Sequence, residues 1–146
     1  MSLQALMEEL LARTGAIRAT LRVDETPGVQ FPVRAEALRP GARPLAGDTS
    51  FPMRTSPLFA WLERERRILV QEDCREADPA PARTLVDDYG VSAQMVAPVE
   101  RDGEIVALVS VHDGPGLRRW TDEEVAALEE AVERVRHELS AGVETP

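Results

Sequence analysis

The sequence predicts an α+β fold with a central, mostly antiparallel sheet of five strands, the terminal helices on one face and short helices and loops over the other. Two observations carry this prediction. Segments of alternating or continuous apolar character come in adjacent pairs typical of hairpins, and segments with helical spacing stand at both ends of the chain. The length of 146 residues fits one domain, and no linker divides it, so we expect a single domain over residues 1–146.

The first helix is predicted by apolar residues at helical spacing, with a capping residue before them and a glycine after them. Ser2 is typical of an N-cap, and Gly15 is typical of the left-handed residue that follows a helix. The apolar face consists of Leu3, Leu6, Met7 and Leu10.

The last helix has the clearest start in the sequence. Thr121 and Glu124 have the spacing of a capping box, and Trp120 and Val125 occupy the two positions of a hydrophobic staple. These signals predict a long helix that begins directly after Thr121.

Two hairpins are predicted between these helices. Residues 17–24 alternate between apolar and polar side chains, which predicts one dry and one solvent-facing side, and they pair with 31–37 through a turn at Pro27-Gly28. Residues 91–99 and 105–112 are apolar on both faces and are joined by Asp102-Gly103, a strong turn signal. We therefore expect this second pair to form the centre of the sheet.

The middle of the chain is predicted to be a cover rather than a second domain. Residues 40–57 read as a long, partly buried loop, and Ser56-Pro57 is a typical start for a short helix. Residues 68–71 suggest a short strand, and a further helix is expected to run from Asp78-Pro79 to Gly90.

Charge and composition exclude several classes of protein. The net charge is −9 and no basic stripe offsets it, so neither nucleic acid nor an anionic membrane is expected as a partner. One cysteine and two histidines provide neither a disulfide nor a Cys/His metal site. Lysine and asparagine are absent, which excludes Schiff-base and P-loop chemistry. With no signal peptide and no long apolar run, a cytoplasmic location is expected.

The order of elements and the last third of the chain resemble a GAF domain, a sensor module related to PAS domains. The resemblance rests on the strand 91–99 with its Pro-Val end, the Asp-Gly turn, the strand 105–112 and the helix start at 120–124. Further similarity to the phytochrome-type branch comes from Tyr89-Gly90-Val91, Val111-His112 and Arg119-Trp120. The resemblance implies a bacterial-type sensor that binds a small molecule between the sheet and a cover formed by residues 51–62 and 74–89.

The residues that we expect to contact this ligand are mostly apolar side chains of loops and short helices, which must face inward onto something. Arg54 would supply a charge for an anionic ligand. The alternative is that the same side chains simply fill the core beneath the loop. The complete set is Phe51, Met53, Arg54, Phe59, Trp61, Cys74, Tyr89, Gln94 and His112.

Departures from the family patterns argue against three of its known activities. Phytochrome-type domains attach a bilin through a cysteine that would fall near Pro81, whereas Cys74 lies upstream, so covalent bilin attachment is not expected and no cofactor is assigned. The methionine sulfoxide reductases of the family use a set of cysteines, and this chain has one. The cyclic-nucleotide subgroup carries an Asn-Lys motif that this composition cannot provide.

A catalytic function is a weaker interpretation. Ser110, His112 and Asp113 are a nucleophile, a base and a carboxylate close in sequence, but the first two lie about 7 Å apart along a strand. An enzyme that uses His112 with Cys74 or Arg54 is therefore kept only as an alternative, and no catalytic residue is assigned.

The apolar stripe of the last helix has the 3-4 spacing of a coiled coil, although a helix that packs on its own sheet needs the same stripe. Because GAF domains commonly pair through their terminal helices, we expect a homodimer. Its signal would pass through this pairing or to a separate output protein, with ligand ordering the 40–57 loop. A module that only pairs, without any ligand, is the further alternative. The predicted interface is Leu3, Leu6, Leu10, Val125, Leu128, Val132, Val135 and Leu139.

Overall fold

A computed structural model describes residues 1–25 and 28–144 of the chain. A 3₁₀ turn at Met53–Thr55 lies in the long loop that precedes the second helix. The helices and strands follow one another as α1 (Leu3–Thr14), β1 (Arg18–Val23), β2 (Val33–Leu38), α2 (Pro57–Glu65), β3 (Leu69–Gln71), α3 (Arg83–Asp87), β4 (Ala93–Arg101), β5 (Glu104–Asp113) and α4 (Asp122–Glu144).

The five strands form one antiparallel sheet in the order β2-β1-β5-β4-β3, which confirms the predicted fold class. The longest strands, β4 and β5, are joined by Asp102 and Gly103, whose φ angles of 54° and 81° are those of a tight hairpin turn. The turn predicted at Pro27-Gly28 begins on a residue outside the described part of the chain.

One face of the sheet packs against the two terminal helices. Leu10 of α1 and Leu128 of α4 are buried there against small and β-branched side chains such as Ala19 and Val109. The helix starts are those that the sequence predicts: Ser2 Oγ accepts from the amide of Ala5, and the Thr121–Glu124 capping box is closed in both directions, at 2.9 and 3.1 Å.

The opposite face is covered by the middle of the chain in two apolar clusters. In one cluster Phe31 and the α2 residues Phe59 and Leu62 pack on β3, β4 and β5. In the other, Leu45 and Tyr89 pack with neighbouring loop residues beside the end of the sheet. Between these clusters the cover stands away from the sheet.

The interpretation of β1 as a strand with one solvent-facing side is wrong. The polar side of this strand is as buried as its apolar side, with Arg18 0%, Thr20 1% and Arg22 6% exposed. The alternation is real, but the face that carries these residues lies beneath the cover instead of in water. This placement positions two guanidinium groups inside the protein.

Two element boundaries also differ from the sequence prediction. Phe31 has a left-handed φ of 50°, a conformation that cannot continue a strand, so β2 begins only at Val33. The helix expected from Asp78-Pro79 begins only at Arg83. Pro81 disfavours the helical conformation at Ala80, which delays the helix until the second proline has passed.

Candidate functional site

A cavity of about 370 Å³ lies between the sheet and its cover. This volume is within the range of small-molecule sites. The sheet contributes Arg22, Gln94, Val96, Leu108, Ser110 and His112. The cover contributes Leu45, Phe51, Pro52, Met53, Thr55, Ser56, Pro57, Leu58, Ala80, Pro81, Ala82 and Leu85.

Specific hydrogen bonds hold the cover in place. The carboxylate of Glu36, on edge strand β2, accepts from the amides of Leu45 and Ala46 at 3.0 and 3.2 Å. Further along the loop, Asp48 accepts from the Tyr89 hydroxyl at 2.5 Å. The hydrogen bonds from Ser50, together with this one from Tyr89, lower the pKa of Asp48 to about 2. The loop is therefore tied both to the sheet and to the segment after α3.

The His112 ring has one defined tautomer because its partner can only donate. Arg18 Nη1 lies 3.2 Å from His112 Nδ1, and a guanidinium has no acceptor, so Nδ1 accepts and the ring hydrogen is on Nε2. The Arg18 side chain also donates to the Arg43 carbonyl at 2.6 and 3.2 Å, and its Nε is 3.9 Å from Glu36. Burial, with the charges of Arg18 and Arg22, holds the pKa of His112 well below its usual value, and the ring is neutral.

Arg22 is the charged side chain on the cavity wall. Its Nη1 donates to the Phe31 carbonyl at 3.1 Å, and its guanidinium lies 5.2 Å from the centre of the Phe51 ring. No carboxylate in the described part of the chain comes within ion-pair distance of it, and Glu36 and Asp48 act on it only from further away. Burial lowers the pKa of Arg22, but an arginine remains charged inside proteins.

At the other end of the wall, the lining residue Gln94 is hydrogen-bonded to a second glutamine, Gln71, behind it. Gln71 Nε2 donates to the Pro79 carbonyl at 2.7 Å, and Gln94 Nε2 donates to Gln71 Oε1 at 2.8 Å. Because a carbonyl can only accept, it fixes the direction of both amides. Gln94 Oε1 is left buried without a partner among the described residues.

Replacement of His112 by glutamine is expected to reduce the loss of stability on acidification. Below its ordinary pKa of about 6.5 the residue binds a proton in the unfolded chain but not in the native one, so stability falls as pH falls, by up to about 1.4 kcal/mol per pH unit. Glutamine keeps an acceptor for Arg18 and does not titrate. Urea unfolding of wild type, His112→Gln and His137→Gln between about pH 7.5 and 5.5 checks this. His137 is exposed on α4, so its variant should keep the wild-type slope; an unchanged slope in His112→Gln would contradict the assignment.

A family model described as the GAF domain matches residues 1–139 of the chain. The chain belongs to the GAF domain family. Among curated proteins, no match to it is found.

Several solved GAF domains share this fold. The PixJ GAF domain of Thermosynechococcus elongatus in its blue-light absorbing form is 20% identical, with a TM-score of 0.72 over 97% of this chain and 88% of that one. A phycocyanobilin-bound GAF domain from a cyanobacterial phytochrome is 18% identical, with a TM-score of 0.77 over 97% and 86%. The chromophore-binding domain of a Stigmatella aurantiaca bacteriophytochrome is 22% identical, with a TM-score of 0.75 over 95% of this chain and 53% of that one. At these identities the likeness establishes the fold.

Four of the residues predicted to contact ligand line the cavity of this GAF domain. Phe51 and Met53 face it from the cover, and Gln94 and His112 face it from the sheet. The cover that the sequence predicts does fold back over the sheet and leaves space beneath it.

Three other predicted residues lie outside the lining of the cavity. Phe59 is buried in the cluster beneath α2, where its ring centre is 5.3 Å from that of Phe31. Trp61 is half-buried at the edge of this cluster under Arg67. Arg54 pairs with Asp24 and lies over the Phe31 ring, so its charge already has a partner.

Cys74 and Tyr89 also lie outside the lining. Both are buried in the cluster with Leu45, and Tyr89 supports the loop through Asp48. Burial, reinforced by Asp73, raises the pKa of the Cys74 thiol to about 11. Reactive cysteines need a lowered pKa and access, and Cys74 has neither. Cys74 and Arg54 thus do not join His112 at the cavity.

The residues Ser110, His112 and Asp113 do not form a catalytic arrangement. Asp113 projects from the other face of β5 and pairs with Arg118 at 2.9 Å. The nitrogen of His112 that a carboxylate would orient is occupied by Arg18.

The predicted pairing stripe is largely internal to one chain. Leu6, Leu10, Leu128, Val132 and Val135 are at most 7% exposed and pack between the terminal helices and the sheet. Leu3, Val125 and Leu139 are partly buried against the same core. The homodimer stays a prediction, but these five buried side chains serve the fold of a single chain.

Residues 1–25 and 28–144 contain neither a cluster of metal-ligating side chains nor a membrane-spanning helix. No group of three or more His, Cys, Asp or Glu residues there could hold a metal ion. No helix in these segments is both long and apolar enough to cross a membrane.

The polar lining residues that were not among the predicted ligand contacts include Arg22 and Ser110, and Arg22 is the charged one. Its place in an alternating strand suggested a solvated side chain. The available signal was that Arg18, Thr20 and Arg22 face the same side as Ser110 and His112 once β1 pairs with β5.

Proposed function

We propose that this GAF domain is a sensory or regulatory module that binds a small molecule without a covalent bond in the cavity beneath its cover. The observation that carries the proposal is the mostly apolar cavity between sheet and cover, with a buried arginine on its wall that forms no ion pair with the described residues. A module that only pairs, with a core filled by its own side chains, would have no need of such a space.

The solved neighbours support the kind of ligand site, and two of them are described as holding phycocyanobilin or biliverdin. Covalent attachment is not part of the proposal, because the cysteine of this chain lies in a neighbouring apolar cluster and Pro81 stands on the cavity wall. The ligand would then be bound by non-covalent contacts alone, both apolar and polar.

The signal would leave the module through its cover. The loop before α2 lines the cavity with Phe51 and Met53, and it is held to the rest of the chain by the bonds of Glu36 and Asp48. A ligand that packs against this loop would favour the loop conformation that covers the cavity. A homodimer partner or a separate output protein would then bind differently to the two conformations of the loop.

Filling the cavity is expected to abolish ligand retention. Val96 lines the cavity, so Val96→Phe places an aromatic ring inside it. The matched control is Val70→Phe on the neighbouring strand β3, where the valine is 43% exposed and the ring would lie at the surface. Native mass spectrometry of each protein, purified from the native host, should show a bound mass for wild type and Val70→Phe and none for Val96→Phe.

The same samples distinguish sensing from passive storage. Amide hydrogen exchange in residues 40–57 should be slower with the bound mass than after its removal. A bound mass that survives Val96→Phe, or no bound mass in any of the proteins, would overturn the proposed function.

A further inference from the structure

Three of the four polar side chains that the sheet presents to the cavity can donate hydrogen bonds to it, and the fourth, Gln94, presents the unpartnered acceptor Oε1. Arg22 carries only donors, and the His112 ring, with Nδ1 engaged by Arg18, offers an N–H at Nε2. Ser110 lines the cavity, and its hydroxyl can donate a hydrogen bond. A surface built this way is complementary to a group that accepts several hydrogen bonds.

Arg22 also lacks an ion-pair partner beneath the cover. Glu36 lies 3.9 Å from Arg18, whereas Glu36 and Asp48 act on Arg22 only from beyond ion-pair distance, and no other carboxylate of the described residues pairs with it. A buried charge without a partner is costly, and its energy falls when an opposite charge binds. The protein as a whole carries a charge of −9, so this positive charge on the cavity wall runs against its overall field.

The strand register brings these donors together. Arg22 lies opposite Leu108 and Thr20 lies opposite Ser110, so Arg22 and Ser110 are diagonal neighbours on one face. Diagonal neighbours are about 7–8 Å apart, within reach of a long side chain. His112 is the next residue of β5 on the same face.

We propose that the ligand is an amphipathic acid whose carboxylate or phosphate group accepts hydrogen bonds from Arg22 and Ser110. This inference rests on the proposed function. The apolar body of this ligand contacts the hydrophobic side chains of the cavity, among them Phe51, Leu58 and Leu85. An acidic head group supplies acceptors for these donors and a negative charge for Arg22.

The test compares three probes that share one chain: octanoate, octyl phosphate and 1-octanol. Isothermal titration should show that wild type binds at least one of the anions more tightly than the alcohol, and the preferred anion identifies the head group. Arg22→Gln should weaken that anion about 10- to 100-fold, the usual worth of a charged hydrogen bond, and leave 1-octanol unchanged. Arg54→Gln, which removes an exposed arginine already paired with Asp24, should leave all three affinities unchanged.

Ser110→Ala provides a second variant that retains every charge. It should weaken the same anion by several-fold, and circular dichroism checks that both variants fold. Equal affinity of wild type for 1-octanol and for both anions would overturn the inference. So would a folded Arg22→Gln variant that binds the anion as tightly as wild type does. A wild-type protein that binds none of the three probes would also overturn it. Alcohol binding that Val96→Phe blocks, without a preference for the anions, would leave the proposed function standing and remove only the acid.

Discussion

Replacement of Arg18 by methionine is expected to lower the free energy of unfolding by about 3–5 kcal/mol, the usual cost of removing one partner of a buried ion pair. Methionine is of similar length but cannot donate, so the Arg43 carbonyl and His112 Nδ1 each lose a partner. The Glu36 carboxylate, whose side chain is 6% exposed, loses its nearest counter-charge. Urea unfolding at neutral pH measures the change.

Two controls separate this network from the general cost of removing an arginine. Arg34→Met removes an exposed ion pair with Glu25 and should change stability by less than about 0.5 kcal/mol. The double variant Arg18→Met/Glu36→Gln should be more stable than the sum of its single variants implies, because it does not leave the Glu36 carboxylate buried without the guanidinium of Arg18. A change below about 1 kcal/mol in Arg18→Met would show that the network does not stabilise the fold.

Replacement of Phe31 by alanine is expected to cost about 3–5 kcal/mol, as for other fully buried aromatic side chains. Its ring is 0% exposed and packs on Phe59, and it fills the space between α2 and the sheet. Its backbone carbonyl also holds Arg22. Thermal or urea unfolding should therefore show one of the largest losses in the chain.

Phe51→Ala is the matched control for this variant. Phe51 is only half-buried and faces the cavity, so its removal should cost clearly less stability than that of Phe31. Equal losses at the two positions would contradict the view that Phe31 is the support of the cover and Phe51 a lining residue of the cavity.

The parts of the fold that the sequence predicts are those encoded by neighbouring residues. Ser2, the Thr121–Glu124 box and the Asp102-Gly103 turn each act within four residues of chain, and each is found as expected. The place of β4 and β5 inside the sheet, with a further strand on each side, also follows from local signals, because strands that are apolar on both faces are covered on both faces.

The polar wall could not be predicted in the same way, since its partners are distant in sequence. Arg18 donates to the carbonyl of Arg43, 25 residues further along the chain, and Arg22 donates to the carbonyl of Phe31, nine residues further along. An alternating strand normally has one side in water, and only the folded cover shows that this side is enclosed. The role assigned to Arg54 failed for a similar reason, because Asp24 is brought to it by the fold.

The stripe of α4 is ambiguous for a different physical reason. Packing on a sheet and packing on a second helix require the same spacing of apolar residues, so Leu128 and Val135 fit both equally well. Both side chains are completely buried within one chain, so in this fold they pack on the sheet and on α1.

The pair of glutamines has a consequence beyond the wall of the cavity. The backbone carbonyl of Gln71 accepts from the indole nitrogen of Trp120 at 3.2 Å, while its side-chain amide is held by Gln94. Trp120 stands two residues before α4. Gln71, on edge strand β3, thus connects Gln94 on the cavity wall to the start of α4, the longest helix, through two hydrogen bonds.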